Sequence, residues 1–571
     1  MLILIRIIHL CRLSGALVLF PFFTAGAKDL PARDLFNQQQ QQIEARQSAL
    51  EAWLAPLAPD ITAGIAPADT GSGQFVTESP CFMVHEVVLT GREDFPSWFP
   101  ARRIADTGAG HCLGIRGINQ LMSRIQDRMI SHGWVTSRVL APQQDLRSGR
   151  LTLHLLAGRI NSIRYGHGSD EGASLTGALP LRPGERLDLR AIEQGLENLQ
   201  RLPGVSARVD ISPASAPGES DIIITRQQTD RWRLSSWIDN TGSQATGRYP
   251  VGVALALDNP LALSDLFWLS ASRDSGFAGK KGSQSLSSYY SLPFGFWQFS
   301  LSGNASTYAR TLTQRYGDIR YSGNTRNFNL GVSRVIQRNA TGKTTLRYSV
   351  LWRENRNYIN DQEVDVQRRR TSAWQAGLDH RHFLGPLTLD AGISWQRGTR
   401  WFGGLPAYET YASGRDYATD KSKILTWQAT ASWPFQLLNQ SFHYQASYLR
   451  QTSTTPLTVP DQFAIGNRWT VRGFDGERLL SASNGWYLRN TLAWSTPVPG
   501  QQLYLGIDSG GVSGYGADRQ GRHLAGSALG LRGELSALNL RYDLFAGHPL
   551  SRPGNFPADP LTFGFSVGWQ Y

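Results

Sequence analysis

Cysteine is scarce, with three in 571 residues, too few for a fold stapled by disulfides. Past the N-terminal leader no stretch reaches the ~18 uninterrupted apolar residues that a spanning helix needs, so a helical membrane protein is excluded. No Gly-x-Ser-x-Gly elbow, Ser/His/Asp grouping or phosphate-binding loop is found. His85-Glu86 lacks the second ligand cluster of a metal site and reads as structural. No catalytic residue, metal site or cofactor is therefore expected. Acidic residues number 45 against 57 basic ones, a formal net charge of +12. The basic residues are spread along the whole chain and alternate with aromatics, whereas nucleic-acid binding wants them in one patch or arm, so no nucleic-acid partner is expected. Disorder is excluded as well, because 41% hydrophobic and 11% aromatic residues are too many for a chain that buries nothing. The length predicts several domains, or one large barrel with accessories.

Residues 1–27 carry Arg6 and Arg12, an apolar run from Leu13 to Phe23 and Ala25-Gly26-Ala27. This is the layout of a secretory signal peptide cut before Lys28; the run is too short for a comfortable membrane anchor. Export permits disulfides. Cys11 leaves with the leader, and Cys81 and Cys112, isolated within one segment, are expected to be bridged; the alternative is two buried free thiols. Residues 28–55 form the next unit. Within it 33–54 has no Gly or Pro and reads as a helix polar nearly all round, with Leu35, Phe36, Ile43, Leu50, Trp53 and Leu54 as its large apolar residues. Such a helix either bridges solvent or lies in a wet cavity. Residues 56–79, rich in Pro, Gly, Ala and Thr, read as a flexible linker.

Globular patterning returns over 80–158. A strand from Phe82 to Leu89 precedes a helix from Ile115 to His132, with Ile118, Leu121, Met122, Ile125 and Met129 in helical register. Strands Val135–Leu140 and Leu151–Leu156 follow. Residues 159–228 repeat the theme: strand Ile160–Tyr165, helix Leu189–Leu202, then strands Ser206–Ile211 and Asp221–Thr225. The shared element order predicts two duplicated α+β modules. From 229 to 571 period-two alternation takes over. Leu387, Leu389, Ala391, Ile393 and Trp395 alternate with polar or small residues, as do Leu425, Trp427, Ala429, Ala431 and Trp433. Leu538, Leu540, Tyr542 and Leu544 behave likewise, and Phe563, Phe565, Val567, Trp569 and Tyr571 share one face. An apolar aromatic face with a polar opposite face, behind a signal peptide, predicts a transmembrane β-barrel rather than a soluble sandwich. At about 20 residues per strand and connection, the length fits ~16 antiparallel strands, enough to enclose a channel.

The stretch 461–490 contains Phe-x-x-Gly-Asn, then Val471-Arg472-Gly473-Phe474, then Gly485-Trp486-Tyr487. It resembles the extracellular loop motif shared by outer-membrane insertases and two-partner-secretion transporters. Gly506-Ile507-Asp508 resembles the acidic strand motif that partners it, with Gly506 where an aromatic is usual. The whole chain resembles the two-partner-secretion transporters (TpsB proteins). Cys81-Phe82, Cys112-Leu113, Gly133-Trp134-Val135-Thr136 and Pro142-Gln143-Gln144-Asp145-Leu146 are similar to their first polypeptide-transport-associated (POTRA) module. Asp239-Asn240-Thr241-Gly242 with Gly247-Arg248-Tyr249 resembles their first barrel strand and turn. Tyr290-Ser291-Leu292-Pro293-Phe294-Gly295 resembles an early-strand signature.

The resemblance implies an outer-membrane transporter: plug helix, two periplasmic POTRA modules and a lipid-embedded barrel, with membrane lipid and an unfolded exoprotein as the expected partners. The exoprotein, a haemolysin, adhesin or contact-dependent-inhibition toxin, would be captured through its N-terminal secretion domain by strand addition and would fold outside, which supplies direction without ATP. The transporter is expected to be monomeric. Arg472, placed in a barrel wall, needs an anion, and Asp508 is expected to supply it; the alternative is a surface pair of little worth. A barrel enzyme or a passive porin has no use for two periplasmic modules. A general insertase, the nearest rival, typically carries more modules and no plug helix.

Overall fold

Alternation along the strands sorts their side chains onto two faces. In Pro250–Asp258, Val251, Val253 and Leu255 point outward at 40%, 52% and 42% exposure, while Ala254 and Ala256 are buried. In Gln501–Ser513, Leu503, Leu505 and Ile507 are the exposed set and Tyr504 and Asp508 the buried one. A continuous apolar outer face with polar groups inside is stable only where lipid surrounds it. No helix among the described residues is long and apolar enough to cross a membrane; the strands do so instead.

The computed structural model describes residues 46, 48–54, 60–61, 74–276, 281–314, 317–407, 418–515 and 521–571. The leader, and the part of the expected N-terminal helix before residue 46, lie outside them. Sixteen principal strands, from Trp232–Asp239 to Thr562–Gln570, pair antiparallel in chain order, with a two-residue strand, Gln362–Glu363, added at one edge. The last strand pairs with the first, Val567 opposite Ile238, so the sheet closes. One rim has short turns such as Leu438-Asn439, both at positive φ, the backbone a two-residue hairpin demands. The other rim has longer connections among the described residues, including 454–483. Residue 538, read as strand, belongs instead to a short 3-10 turn, Ser536–Leu538, and its strand is Leu540–Ser551.

Each module is a three-stranded sheet backed by helices. In the first, Glu86–Thr90 runs parallel to Arg150–Leu156, which pairs antiparallel with Arg138–Leu140. In the second, Arg159–Tyr165 runs parallel to Glu219–Gln228, which pairs antiparallel with Val205–Pro213. The same pairing scheme occurs twice, as the duplicated element order predicts. The expected strand over 82–89 is broken at His85: Phe82–Val84 pairs separately with His111–Leu113, where the Cys81–Cys112 disulfide joins the two segments. The expected strand from 135 begins only at Arg138, because Gly133, at positive φ, and Trp134 form a turn that closes the preceding helix.

The second module seats on the short-turn rim. Asn198 Nδ2 donates to the Gly295 carbonyl at 2.7 Å, Gly295 N to the Gly177 carbonyl at 2.8 Å, and Arg201 to the Ser264 carbonyl at 3.0 Å. Arg201 also reaches Ser291, so the signature 290–295 is where the barrel meets the module. Helical residues 48–54 lie inside the barrel: Trp53 packs edge-on to Trp237 with centroids 5.6 Å apart, and Leu54 is buried with Leu202, Ala254 and Trp268. Arg46 Nε donates to Thr241 Oγ1 at 3.0 Å. A helix with so little apolar surface is thus accommodated in a polar cavity.

Residues 74–79, expected within the flexible linker, are docked on the first module. Phe75 lies beneath the Arg124 guanidinium, 4.5 Å from its centroid. The Glu78 carboxylate accepts the backbone amides of Gly114, Arg116 and Gly117 at 2.8, 2.9 and 2.6 Å, capping the helix Ile115–Ser131. Orphan N–H groups and the positive helix end both favour an anion there. The Gly117 amide, aided by those of Arg116 and Gly114, holds the Glu78 carboxyl below its usual range against a smaller desolvation effect. A depressed folded value means that this stabilisation is fully present above the unfolded-state value and is lost as pH falls through the folded one. Glu78→Gln is therefore expected to speed amide exchange at 114–117 at neutral pH, with the difference from wild type vanishing in acid. An unchanged exchange rate at neutral pH would count against the cap.

Candidate functional site

The longest connection, 454–483, folds back into the lumen instead of projecting from the rim. It carries a small ribbon, Phe463–Ile465 against Leu480–Ala482, and a hydrophobic nucleus of Phe463, Ile465, Val471, Phe474, Ala482, Val512, Leu524 and Phe556. A cluster of this kind inside a polar barrel gives the loop a core of its own. Each member of the tetrapeptide at its tip has a distinct contact. Val471 is fully buried in the nucleus, and Phe474 meets Phe556 edge-on with centroids 5.8 Å apart.

Arg472 reaches the wall. Its Nε donates to Asp508 Oδ2 at 2.6 Å and an Nη2 proton to Oδ1 at 2.7 Å, a bidentate pair. Its backbone N–H adds a third bond to Oδ2 at 3.0 Å, and Nη2 also donates to the Asn490 carbonyl and Thr491 Oγ1 at 2.9 and 3.0 Å. The two side chains are 5% and 0% exposed. The pair is therefore not the weak surface bridge that was the alternative. Removing one partner of such a buried pair costs about 3–5 kcal/mol, since the other charge is stranded.

Close approach of loop to wall depends on residues with no side chain. A Cβ on Gly506 would sit 2.4 Å from Arg472 Cζ, so glycine at the position where the resembled motif has an aromatic makes room for the guanidinium itself. On the next strand, a Cβ on Gly526 would lie 1.8 Å from the Arg472 carbonyl oxygen. On the strand after that, a Cβ on Gly547 would lie 2.9 Å from Gly473 Cα. Gly473 itself has φ +102 and a Cβ there would meet the His548 carbonyl at 2.5 Å, so its place admits only glycine. Three successive strands thus offer a smooth track for the tip. Gly526 and Gly547 escaped the sequence reading, because their meaning lies in the register between strands rather than in any local motif.

Other cations gather around the pair. Arg489 stands opposite Asp508 in the strand register and donates to the Trp469 carbonyl at 2.9 Å. Arg468 donates to Asn240 Oδ1 and to the Phe565 carbonyl at 3.3 Å. Asn240, just past the first strand, also accepts from Phe565 N at 2.9 Å and donates to the Phe563 carbonyl at 2.7 Å. One side chain thereby ties the first strand, the last strand and the inward loop together. With the lumen helix, these arginines line a cavity of about 680 Å³ that also exposes Asp239, Glu534 and Asp543. Among the described residues no group of three or more His, Cys, Asp or Glu could hold a metal ion. The arrangement is a polar cavity lined by charged and hydrogen-bonding groups from the wall, the inward loop and the lumen helix.

A family model described as haemolysin secretion/activation protein ShlB/FhaC/HecB matches residues 218–533. The chain belongs to the ShlB/FhaC/HecB family. Two further models, a ShlB-type POTRA domain and a POTRA domain, match 82–158 and 159–213. The chain is similar to the outer membrane transporter CdiB-2 of Burkholderia pseudomallei (strain 1026b), at 31% identity over 94% of each chain. Its identity to the hemolysin transporter protein HpmB of Proteus mirabilis is 28%, over 75% of this chain and 76% of that one. The solved structure of CdiB from Escherichia coli superposes with a TM-score of 0.82 at 28% identity, covering 96% of this chain and all of that one. This ShlB/FhaC/HecB protein is an outer-membrane transporter of two-partner secretion, with its POTRA modules in the periplasm and a secreted exoprotein as partner.

The glycine track makes a graded prediction. Gly526→Ala, whose new methyl meets backbone, is expected to displace the loop tip and reduce secretion at least as much as Gly506→Ala, whose methyl meets a side chain. Gly554→Ala, in open space, is the control. Exoprotein in the medium is the readout, and equal secretion from all three variants would show that the tip has no such seat.

Proposed function

We propose that this transporter captures its exoprotein in the periplasm through the client's N-terminal secretion domain and passes it unfolded through the barrel, acting as a monomer. Support for capture by strand addition comes from the sheets of both modules, whose strands Arg138–Leu140 and Val205–Pro213 each pair on one side among the described residues. Such edges invite a further strand. The client we favour is of the contact-dependent-inhibition class. The observation that carries this choice is end-to-end likeness to transporters named CdiB, including one from Escherichia coli O6:K15:H31 that is 30% identical over 98% of this chain. The likeness to HpmB spans less.

Within this reading the segment 471–474 is the transport loop motif and Asp508 its lumen anchor. The pair holds the loop across the conduit while helical residues 48–54 plug the space beside it. Passage of a polypeptide requires the helix to leave, since Arg46, Trp53 and Leu54 occupy the lumen against Thr241, Trp237 and Trp268. Direction comes from folding at the surface.

Arg472→Ala is expected to cut secretion severely while the protein still reaches the outer membrane as a folded barrel; unaltered secretion would remove the loop from the mechanism. Deleting 33–54 is expected to raise conductance in planar bilayers without abolishing insertion, and conductance equal to wild type would refute the plug. A neighbouring gene encoding a large exoprotein with an inhibition-toxin terminus is the expected client, and its export by this chain in a reconstituted pair would test the assignment.

A further inference from the structure

The periplasmic rim carries three cations side by side. Arg338, Lys343 and Arg381 lie on adjacent strands in direct register, Arg338 opposite Lys343 and Lys343 opposite Arg381. Like charges directly opposite in a sheet are destabilising, so this row needs carboxylates from elsewhere. Asp390, opposite Arg381 on the following strand, supplies one, with contacts of 2.5 and 3.1 Å. The others come from outside the barrel.

Two come from the second POTRA module. Arg338 Nη1 donates to Glu197 Oε2 at 2.5 Å and to Gln194 Oε1 at 3.0 Å, and its Nε faces Glu193 Oε2 at 3.4 Å. Lys343 Nζ binds the other oxygen of Glu197. Glu193 is shared with Arg190 of its own helix, at 2.6 Å. The last carboxylate comes from the segment that follows the lumen helix. Asp60 Oδ2 accepts from Arg381 Nη1 at 2.6 Å, and its Oδ1 lies 3.9 Å from Lys343 Nζ. The remaining nitrogen of Arg338 donates to the backbone carbonyl of Ile61 at 2.7 Å. Arg338 is only 6% exposed, and a planar guanidinium places its donors at fixed angles. The glutamates that orient two of its nitrogens therefore aim the third at the linker.

We propose that Arg338 is the positioning residue through which the seated second POTRA module holds the linker at 60–61, and through it the lumen helix, in the resting state. The inference rests on the plug reading and adds the trigger: a movement of the module that withdraws Glu193 and Glu197 disorients Arg338 and frees the linker. A client pulling on the module would thereby open its own path. Neither glutamate is among the linker's contacts described above, so a purely local account predicts that their loss leaves the linker as it was.

The test uses the full chain carrying Ile61→Cys, whose two other exported cysteines are sealed in the disulfide, and a membrane-impermeant maleimide. Glu193→Gln with Glu197→Gln is expected to raise the labelling rate at position 61 and the frequency of open-channel events about tenfold, the equivalent of one charge-assisted hydrogen bond. Arg338→Ala is expected to do the same, and the combined variant no more than either alone, because all act through one guanidinium. Unchanged labelling in the glutamate variant, or additive effects in the combination, would overturn the clamp. Deletion of 33–54 serves as reference: if it fails to raise conductance the plug reading falls, while labelling at 61 still decides whether the clamp exists. Normal heat-modifiable mobility on gels shows that each variant has folded.

Discussion

A sheet placed in a bilayer must leave no backbone N–H or C=O without a partner, since lipid offers none. Closure of the first strand on the last meets that demand here, and the rest of the molecule follows from it. The seam is short, running from Asp239 opposite Ser566 to Ser235 opposite Gln570. Asn240 extends it with side-chain bonds to Phe563 and Phe565 and is itself held by Arg468 of the inward loop. Closing the wall and placing the loop are thus one arrangement of hydrogen bonds.

A closed barrel of this size has a lumen too wide for its own side chains to fill. The space is shared between a loop with its own apolar nucleus and a helix whose polarity would be unusual in an ordinary core. Neither is held by burial alone. The loop is tied by a desolvated bidentate ion pair and a glycine track; the helix is tied by aromatic contact at Trp237 and by the bond from Arg46 to Thr241. Such ties bind in a defined geometry and are lost together once that geometry is broken.

Much of the architecture was legible in advance because it is written in local periodicity. Alternation over 387–396 and 425–433 became the strands Leu387–Thr399 and Lys423–Leu437, and helical register over 118–129 became the helix Ile115–Ser131. Errors fell where a local pattern met a tertiary constraint. The strand over 82–89 broke at His85, beside a disulfide and a second sheet, and the residues before Cys81 that looked like linker turned out to cap a helix. The ion pair was legible from its motif, whereas Gly526 and Gly547 were not, since nothing near them in the chain marks what they face.

By itself the amino-acid order determined the class of fold, the succession of modules, the lipid-facing side of the strands with clear alternation and the identity of the charged pair. The first three depend on residues within a few positions of one another, and the pair was named through the resemblance of 471–474 and 506–508 to two motifs that partner each other. Tertiary structure decided the rest: that Arg338, Lys343 and Arg381 stand in a single row, that three glycines line up beneath one loop, and that a helix from the far N-terminal side rests against Trp237. Strand register brings together residues distant in sequence, and register follows from the pattern of whole strands and the turns that join them rather than from any one motif.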